Sequence, residues 1–330
     1  MLRLLRHAVG RYTGTLRTWK PVYVLANLLN SGKLAHNRAL YDARGLRRKS
    51  VFAPVSAAEF PASPPEQLPW LDRPGALDAL RAHPDFAGFD RATQAALEGF
   101  VTDGYFILRG FYSPAEVRTF NEELDRLLAE GLVAPNFTGR KVMNAHRESE
   151  LLEATFYRRP ELLRLLSFLL GRPARPFQSI AFTAASEQRA HSDSIHMTTD
   201  PPGYLIATWA AFEPTGPDNG ALYYYPRSHR LPIVTTADFD SGNTALRVNA
   251  DVNARYEDAI ADVLAEHDLE RVDFVAEPGD LLVWHANLLH GGGTIGRPGA
   301  SRRSLVSHYF AEGVVCYHEL THRPAILIDG

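Results

Sequence analysis

Apolar side chains at Val117, Phe120, Leu124, Leu127 and Leu128 fall at the spacing that lines one face of an α-helix. Ser113, Pro114 and Glu116 precede them as N-cap, first-turn proline and capping-box acid, and Gly131 follows as a stop. A second helix is predicted over "PELLRLLSFLLG" (160–171); at about three turns, its leucines suit a core face rather than a dimer seam. Upstream, "GYFILRGF" (104–111) sets four apolar residues between glycines and predicts a strand. Beyond Pro176 the pattern changes. "FQSIAFTAA", "YLIATWAAFE", "GALYYYP", "DFVAEPGDLLVWH" and "RSLVSHYFAEG" are rich in aromatic and β-branched residues and are divided by Gly, Pro, Asn and Asp. Asp218-Asn219-Gly220 reads as a hairpin turn, and "VNARYEDAIADVLAEHD" (252–268) as one helix between strands. Helices followed by many short strands predict a mainly β fold with helical cladding, a β-sandwich or jelly roll.

Composition narrows this further. The 330-residue chain, 45% hydrophobic and 22% charged, has the make-up of an ordinary soluble protein large enough for a sizeable core. Residues 51–75 are rich in Pro, Ala and Ser and read as an extended connector. The expected organisation is therefore a basic N-terminal arm and connector over 1–75 and a single folded domain over 76–330. No window is apolar enough to span a membrane, and arginines at 3, 6, 11 and 17 interrupt any signal-peptide core. A single cysteine, Cys316, excludes an internal disulfide, and the expected compartment is the cytoplasm. Charge is uneven: residues 1–50 hold eleven Lys/Arg against one acid, a balance of +10, which leaves −13 for the rest of a chain of net charge −3. Such an arm could meet anionic lipid or nucleic acid, but it also carries packing residues such as Tyr23 and Leu25. No nucleic-acid motif accompanies it. The expectation is contact with the chain's own body or with a second subunit, without nucleic acid and without stable membrane insertion.

Candidate chemistry concentrates in "QRAHSDSIHM" (188–197). Residues i and i+2 of a strand share a face, so His191 and Asp193 can converge on one ion while Ser192 points away. His196 sits at an odd offset, which points it to the opposite face and the surface unless a turn after Ser194 brings it to the rim of such a site. "GDLLVWHANLLHGGG" offers His285 and His290 as a further ligand. Two histidines and one carboxylate on one side of an ion leave three open positions, the pattern of non-haem iron(II) oxygenases. Those positions accommodate a 2-oxo acid and molecular oxygen. The acid's far carboxylate then needs a fixed cation, and Arg302 and Arg303 open the next strand.

These runs together resemble the phytanoyl-CoA dioxygenase family of iron(II)/2-oxoglutarate oxygenases. The resemblance rests on "DGYFILRGFYSPAEV", "HSD", "TWAAFEPTGPDNGALYYYPRSHR", "EPGDLLVWHANLLHGG" and "RRSLVSHYF", in that order, and covers residues 100–315. It implies a double-stranded β-helix (jelly-roll, cupin-like) core, with Fe(II), 2-oxoglutarate as cosubstrate and molecular oxygen. It further implies His191, Asp193 and His290 as iron ligands, Arg302 as partner of the far 2-oxoglutarate carboxylate, and Trp209 in the cosubstrate pocket. Counting back from His308 favours Arg302 over Arg303. One departure is Arg227 where the family's "PGSH" turn has glycine, which bears on that turn's backbone and not on the metal ligands. The implied activity is oxidation, usually hydroxylation, of a C–H bond of a small organic molecule, with release of succinate and carbon dioxide. Halogenation is disfavoured because Asp193 would occupy the position chloride needs.

His196, Tyr223, Tyr225 and Lys141 are the candidates on the substrate side; for the tyrosines, core packing is the alternative. His83-Pro84-Asp85 reads as a turn. His146-Arg147-Glu148 reads as solvated surface, with a place facing the substrate beside Arg140, Lys141 and Asn144 as the alternative, and His285, five residues before His290, is excluded as a ligand by parity. The competing functions are a non-catalytic jelly-roll binding protein and a zinc hydrolase using the same His/Asp/His set. Nothing in the sequence identifies a substrate or a coenzyme A site.

Overall fold

A computed structural model describes residues 18–32, 34–46, 53–136 and 138–324. Its centre is a six-stranded antiparallel sheet, built from β1 (Tyr105–Leu108), β2 (Lys141–Met143), β3 (Ala174–Phe182), β5 (Leu205–Ala211), β8 (Leu281–His285) and β10 (Ser304–Ala311), in the order β1-β8-β5-β10-β3-β2. A three-stranded sheet, β7 (Val272–Phe274), β6 (Leu222–Tyr224) and β9 (His290–Gly292), faces it, and β4 (Thr198–Asp200) pairs with β11 (Val315–Tyr317). The two facing sheets form the jelly roll.

The apolar run of β8 shows why the large sheet sits at the centre. All five residues of Leu281–His285 are buried, which a strand covered on both faces requires. Leu281 and Val283 meet the helices, in one core with Leu80 of α3 (Ala76–Ala82), Leu97 and Phe100 of α4 (Arg91–Asp103), Phe120 and Leu124 of α5 (Pro114–Ala129), and Leu166 of α6 (Pro160–Leu170). Leu282 and Trp284 point into the roll, where they join Trp209, Val306, Leu222, Tyr224 and Phe274. Helix α5 has the expected ends: a reciprocal Ser113/Glu116 capping box, and Gly131 at φ 67° just beyond it. α6 ends at a left-handed Gly171.

Two local expectations need correction. Asp218-Asn219-Gly220 closes no hairpin, because β5 pairs with β8 and β10 whereas β6 pairs with β7 and β9. The turn instead carries the chain from one sheet to the other. Asn219 fastens it by donating to the carbonyls of Pro214 (2.8 Å) and Ser301 (3.1 Å). Gly220 has φ 75°, and a Cβ there would lie 2.7 Å from the Gly293 carbonyl oxygen, so both conformation and space demand glycine. The second correction concerns His146, expected at the surface. It is buried, with its ring stacked on Tyr157 at 3.7 Å, although Arg147 and Glu148 are exposed. Arg227 occupies the left-handed region (φ 69°), the conformation glycine favours, at a cost of about 1 kcal/mol for a non-glycine residue. The PRSH turn therefore keeps a glycine-type backbone with arginine in place. His229 in that turn packs its ring against Gly104.

The connector and the arm are built onto the same body. Within 53–75 the chain makes three single 3-10 turns, and Trp70 donates to the carbonyls of Phe168 and Leu169 at the end of α6. The His83 ring packs against both Trp70 and Phe168, a packing role. Helices α1 (Lys20–Leu29) and α2 (Ala35–Ala43) pack on the C-terminal segment. Leu34, Tyr41 and Leu46 share a cluster with Val315 and Tyr317; Asn27 donates to the Pro324 carbonyl; Arg44 pairs with Asp200 at 2.8 Å. No helix among the described residues is long and apolar enough to cross a membrane.

Candidate metal centre

His191 and His290 face each other across an isolated antiparallel bridge, each donating its N–H to the other's carbonyl (2.9 and 3.0 Å). This pairing brings residues 99 apart in sequence to ring centroids 4.5 Å apart. The chain between His191 and Asp193 is not the regular strand expected from i, i+2 alternation. Ser192 is extended (φ −105°, ψ 142°), and Asp193–Ile195 then forms a 3-10 turn. Ser192 does point away, donating to the Ala286 carbonyl at 3.0 Å and accepting from the Ser194 N–H. Its own N–H goes to the Tyr256 hydroxyl of α7 (Val252–His267). The turn, rather than strand parity, delivers Asp193 to the histidines, and donor atoms of His191, Asp193 and His290 all lie within 4.8 Å of one another.

Each donor is oriented by a second contact. Nδ1 of His191 lies 2.9 Å from the Arg189 carbonyl oxygen, and Nδ1 of His290 lies 2.9 Å from that of Leu288. A carbonyl only accepts, so each Nδ1 carries the proton and each Nε2 keeps its lone pair for a metal. Burial, reinforced by His290, holds the His191 pKa well below its ordinary value, so the ring is neutral. Burial pushes the Asp193 pKa up, but the neighbouring His290 and His308 push it down further, so the carboxylate stays ionised. Oδ1 of Asp193 lies 3.8 Å from His290 Nε2, while Oδ2 accepts from Trp284 Nε1 at 3.0 Å and lies 3.6 Å from His308 Nε2. Two imidazoles and one carboxylate suit a divalent transition metal.

Sequence reasoning passed over Trp284. The signal was present, since its even register with Leu282 on β8 points it into the roll. A Trp284→Phe variant keeps an aromatic ring at the position, though a smaller one, and removes the donor to Oδ2. Loss of such an outer contact should weaken iron(II) binding by about 10–100-fold in chelator competition. Unchanged affinity would show that Asp193 is held by other means.

The three donors open on a cavity of about 270 Å³ that Arg302, Trp209 and Lys141 also line. Arg302 is 2% exposed; it donates to the Gly220 carbonyl at 2.7 Å, and its guanidinium lies 5.5 Å from the Trp209 ring and 5.7 Å from the Phe182 ring. Burial draws its pKa down to about 10, still a cation at neutral pH. Arg302 Nε and Trp209 Nε1 are buried without a protein hydrogen-bond partner, which fits a polar ligand with acceptor oxygens between them. Arg303 turns to the other side, toward Asp125 (2.7 Å) and Glu213 (3.6 Å).

A second cavity, of about 670 Å³, shares Gln178, His196 and Met197 with the first. His196 therefore stands at the junction of the two, brought there by the turn. Lys141, expected on the substrate side, lies instead beside Arg302; burial and that neighbour lower its pKa. Tyr223 and Tyr225 line neither cavity. Tyr223 packs on the backbone of Gly291, whose lack of a side chain makes room for it, and Tyr225 packs on the α7 side. Both tyrosines serve packing, because β6 turns its cavity-facing register to Leu222. His285 bonds Asp72 at 3.1 Å on the far face of β8, away from the three donors.

The family model described as Phytanoyl-CoA dioxygenase (PhyH) matches residues 100–304. A curated relative, the peroxisomal phytanoyl-CoA dioxygenase of Rattus norvegicus, is 20% identical over 235 residues; the match spans 63% of this chain and 65% of the relative's length. Among solved structures, EctD from S. alaskensis with 2-oxoglutarate and 5-hydroxyectoine superimposes with a TM-score of 0.54 at 20% identity, covering 73% of this chain and 84% of that one. The non-heme alpha ketoglutarate dependent carbocyclase SnoK from nogalamycin biosynthesis gives a TM-score of 0.54 at 15% identity, over 74% and 95% of the two chains.

Proposed function

The chain belongs to the phytanoyl-CoA dioxygenase family, and from that premise we propose that it is an iron(II)- and 2-oxoglutarate-dependent oxygenase that hydroxylates a small organic molecule. The observation that carries this reading is one cavity bounded by His191, Asp193 and His290 at one end and by buried Arg302 at the other. Iron(II) held there, with 2-oxoglutarate and oxygen, supplies the oxidising power to functionalise a C–H bond, releasing succinate and carbon dioxide.

The chain's own residues do the rest. The Nε2 atoms of His191 and His290 and Oδ1 of Asp193 hold the metal, and Trp284 keeps Asp193 from rotating. Arg302 meets the far carboxylate of 2-oxoglutarate, fixed in place by its bond to Gly220, with Lys141 as a second cation at that end. Trp209 covers the cosubstrate, and Val306 helps keep water out. The 670 Å³ cavity takes the substrate, whose reacting carbon enters past His196 and Met197. Among the described residues lining it, Arg323 is cationic and none is a carboxylate, while Tyr23, Phe177 and Leu320 supply apolar wall. A neutral or anionic, partly apolar substrate suits that wall; an amine does not. Zinc hydrolysis would have no use for a buried arginine aimed at a 2-oxo acid.

Anaerobic titration with iron(II) and then 2-oxoglutarate tests the reading. A weak visible charge-transfer band should appear only with both present, and succinate should form on admission of air. No band together with no succinate would sink it. Compounds that raise succinate formation above the uncoupled rate then identify the substrate.

A further inference from the structure

Helix α1 has its polarity reversed. It buries Lys20 (5% exposed) and Asn27 (0%) against the body, while Leu25, Leu28 and Leu29 stand out at 58%, 41% and 80% exposure. Spaced i, i+3, i+4, the three leucines share one face with exposed Pro21. Trp19 (47%) and Leu246 (67%) extend the patch, joined through the Lys20 N–H to Leu246 carbonyl bond and the Trp19–Arg247 bridge. Burying a lysine and exposing leucines runs against the hydrophobic effect in water, so the outer face is shaped for an apolar partner.

We propose that this face docks on an anionic lipid bilayer. Charge decides for a bilayer over a second copy of the chain. Residues 1–50 carry +10 and the remaining residues −13, so the basic arm alone is drawn to an anionic surface and the body is turned from it. Of the eleven arm cations, Lys20 is buried and Arg44 pairs with Asp200, Arg38 is exposed, and eight lie outside the described residues. Exposed leucines beside a tryptophan, in a segment whose sequence is rich in arginine, are the composition of an interfacial helix, which sets apolar side chains in the acyl boundary and cations at the headgroups. Thr18 and Tyr23, on the body side of the same segment, line the 670 Å³ cavity, so docking by the outer face puts that cavity one helix away from the lipid.

The full chain is sedimented with phosphatidylcholine vesicles and with vesicles containing about 30 mol% phosphatidylglycerol. Binding is expected to the anionic vesicles only, weakened in high salt. It should fall about tenfold or more in a Leu25→Ser/Leu28→Ser/Leu29→Ser variant, since all three leucines are exposed and their loss leaves the fold intact. Arg3→Gln/Arg6→Gln/Arg11→Gln/Arg17→Gln should weaken binding about fivefold per charge. Equal sedimentation with both vesicle types, no sedimentation with either, or full retention in the triple variant overturns the proposal. So does a dimer of the free protein that the triple variant dissolves, which would make a second copy the occupant. None of these readings depends on iron or 2-oxoglutarate.

Discussion

Iron(II) affinity falls by about two orders of magnitude or more in His290→Ala, and iron-dependent succinate formation falls with it. His290 gives one of three donors, and loss of contacts that merely orient a ligand already costs about 10–100-fold. The ring is also wedged between His191 (4.5 Å) and Trp284 (4.9 Å), so the variant leaves a hole beside Asp193. Urea unfolding of the metal-free variant separates the two effects: the cavity lowers metal-free stability, whereas donor loss removes the stabilisation that added iron gives. A variant that binds iron as tightly as the parent would remove His290 from the centre. The backbone bridge to His191 uses main-chain atoms and survives the substitution, which makes the ring the only thing under test.

Replacing Arg302 has two effects of opposite sign. Without ligand, the guanidinium is a buried cation that donates to the Gly220 carbonyl and has an Nε with no protein partner. An apolar residue of similar length there relieves desolvation, so Arg302→Leu should hold or raise the unfolding midpoint of the metal-free protein. With ligand, the same change removes the bidentate partner of a carboxylate. Losing one side of a buried charge pair costs about 2–5 kcal/mol, or roughly thirtyfold to several thousandfold in 2-oxoglutarate affinity. Thermal shift against 2-oxoglutarate concentration reads both at once: the parent midpoint climbs, and the variant's stays flat. Iron(II) binding should be unchanged, because Arg302 touches none of the three donors. If Arg303→Leu flattens the curve instead, the anchor is the neighbouring residue.

What could be read in advance divides by range. Helix α5 was fully legible, because capping box, apolar stripe and terminal glycine are all local. The buried run of β8 and the order of the histidine, aspartate and arginine motifs were legible too. Strand alternation put His191 and Asp193 on one face for a reason only half right, since a 3-10 turn starts at Asp193. The end of the cavity at which Lys141 sits depends on β2 pairing with β3 at Lys141↔Phe182, and no local pattern encodes a register. Tyr223 and Tyr225 misled because a cross-strand glycine, Gly291, draws Tyr223 onto the backbone. The reversed polarity of α1 is invisible in a list of its residues, since it depends on which side meets the body.

Gly220 carries a consequence for how variation can reach this pocket. The group that steadies Arg302 is a main-chain carbonyl, on a residue that neither its dihedral angle nor its neighbours allow to be anything but glycine. A survey that truncates side chains one by one would record Arg302 and miss its holder altogether. Mutation can therefore retune the 670 Å³ cavity, walled by side chains from many segments, while the crossover beneath the arginine stays fixed. The same architecture separates a part of the pocket that can drift from a part that cannot.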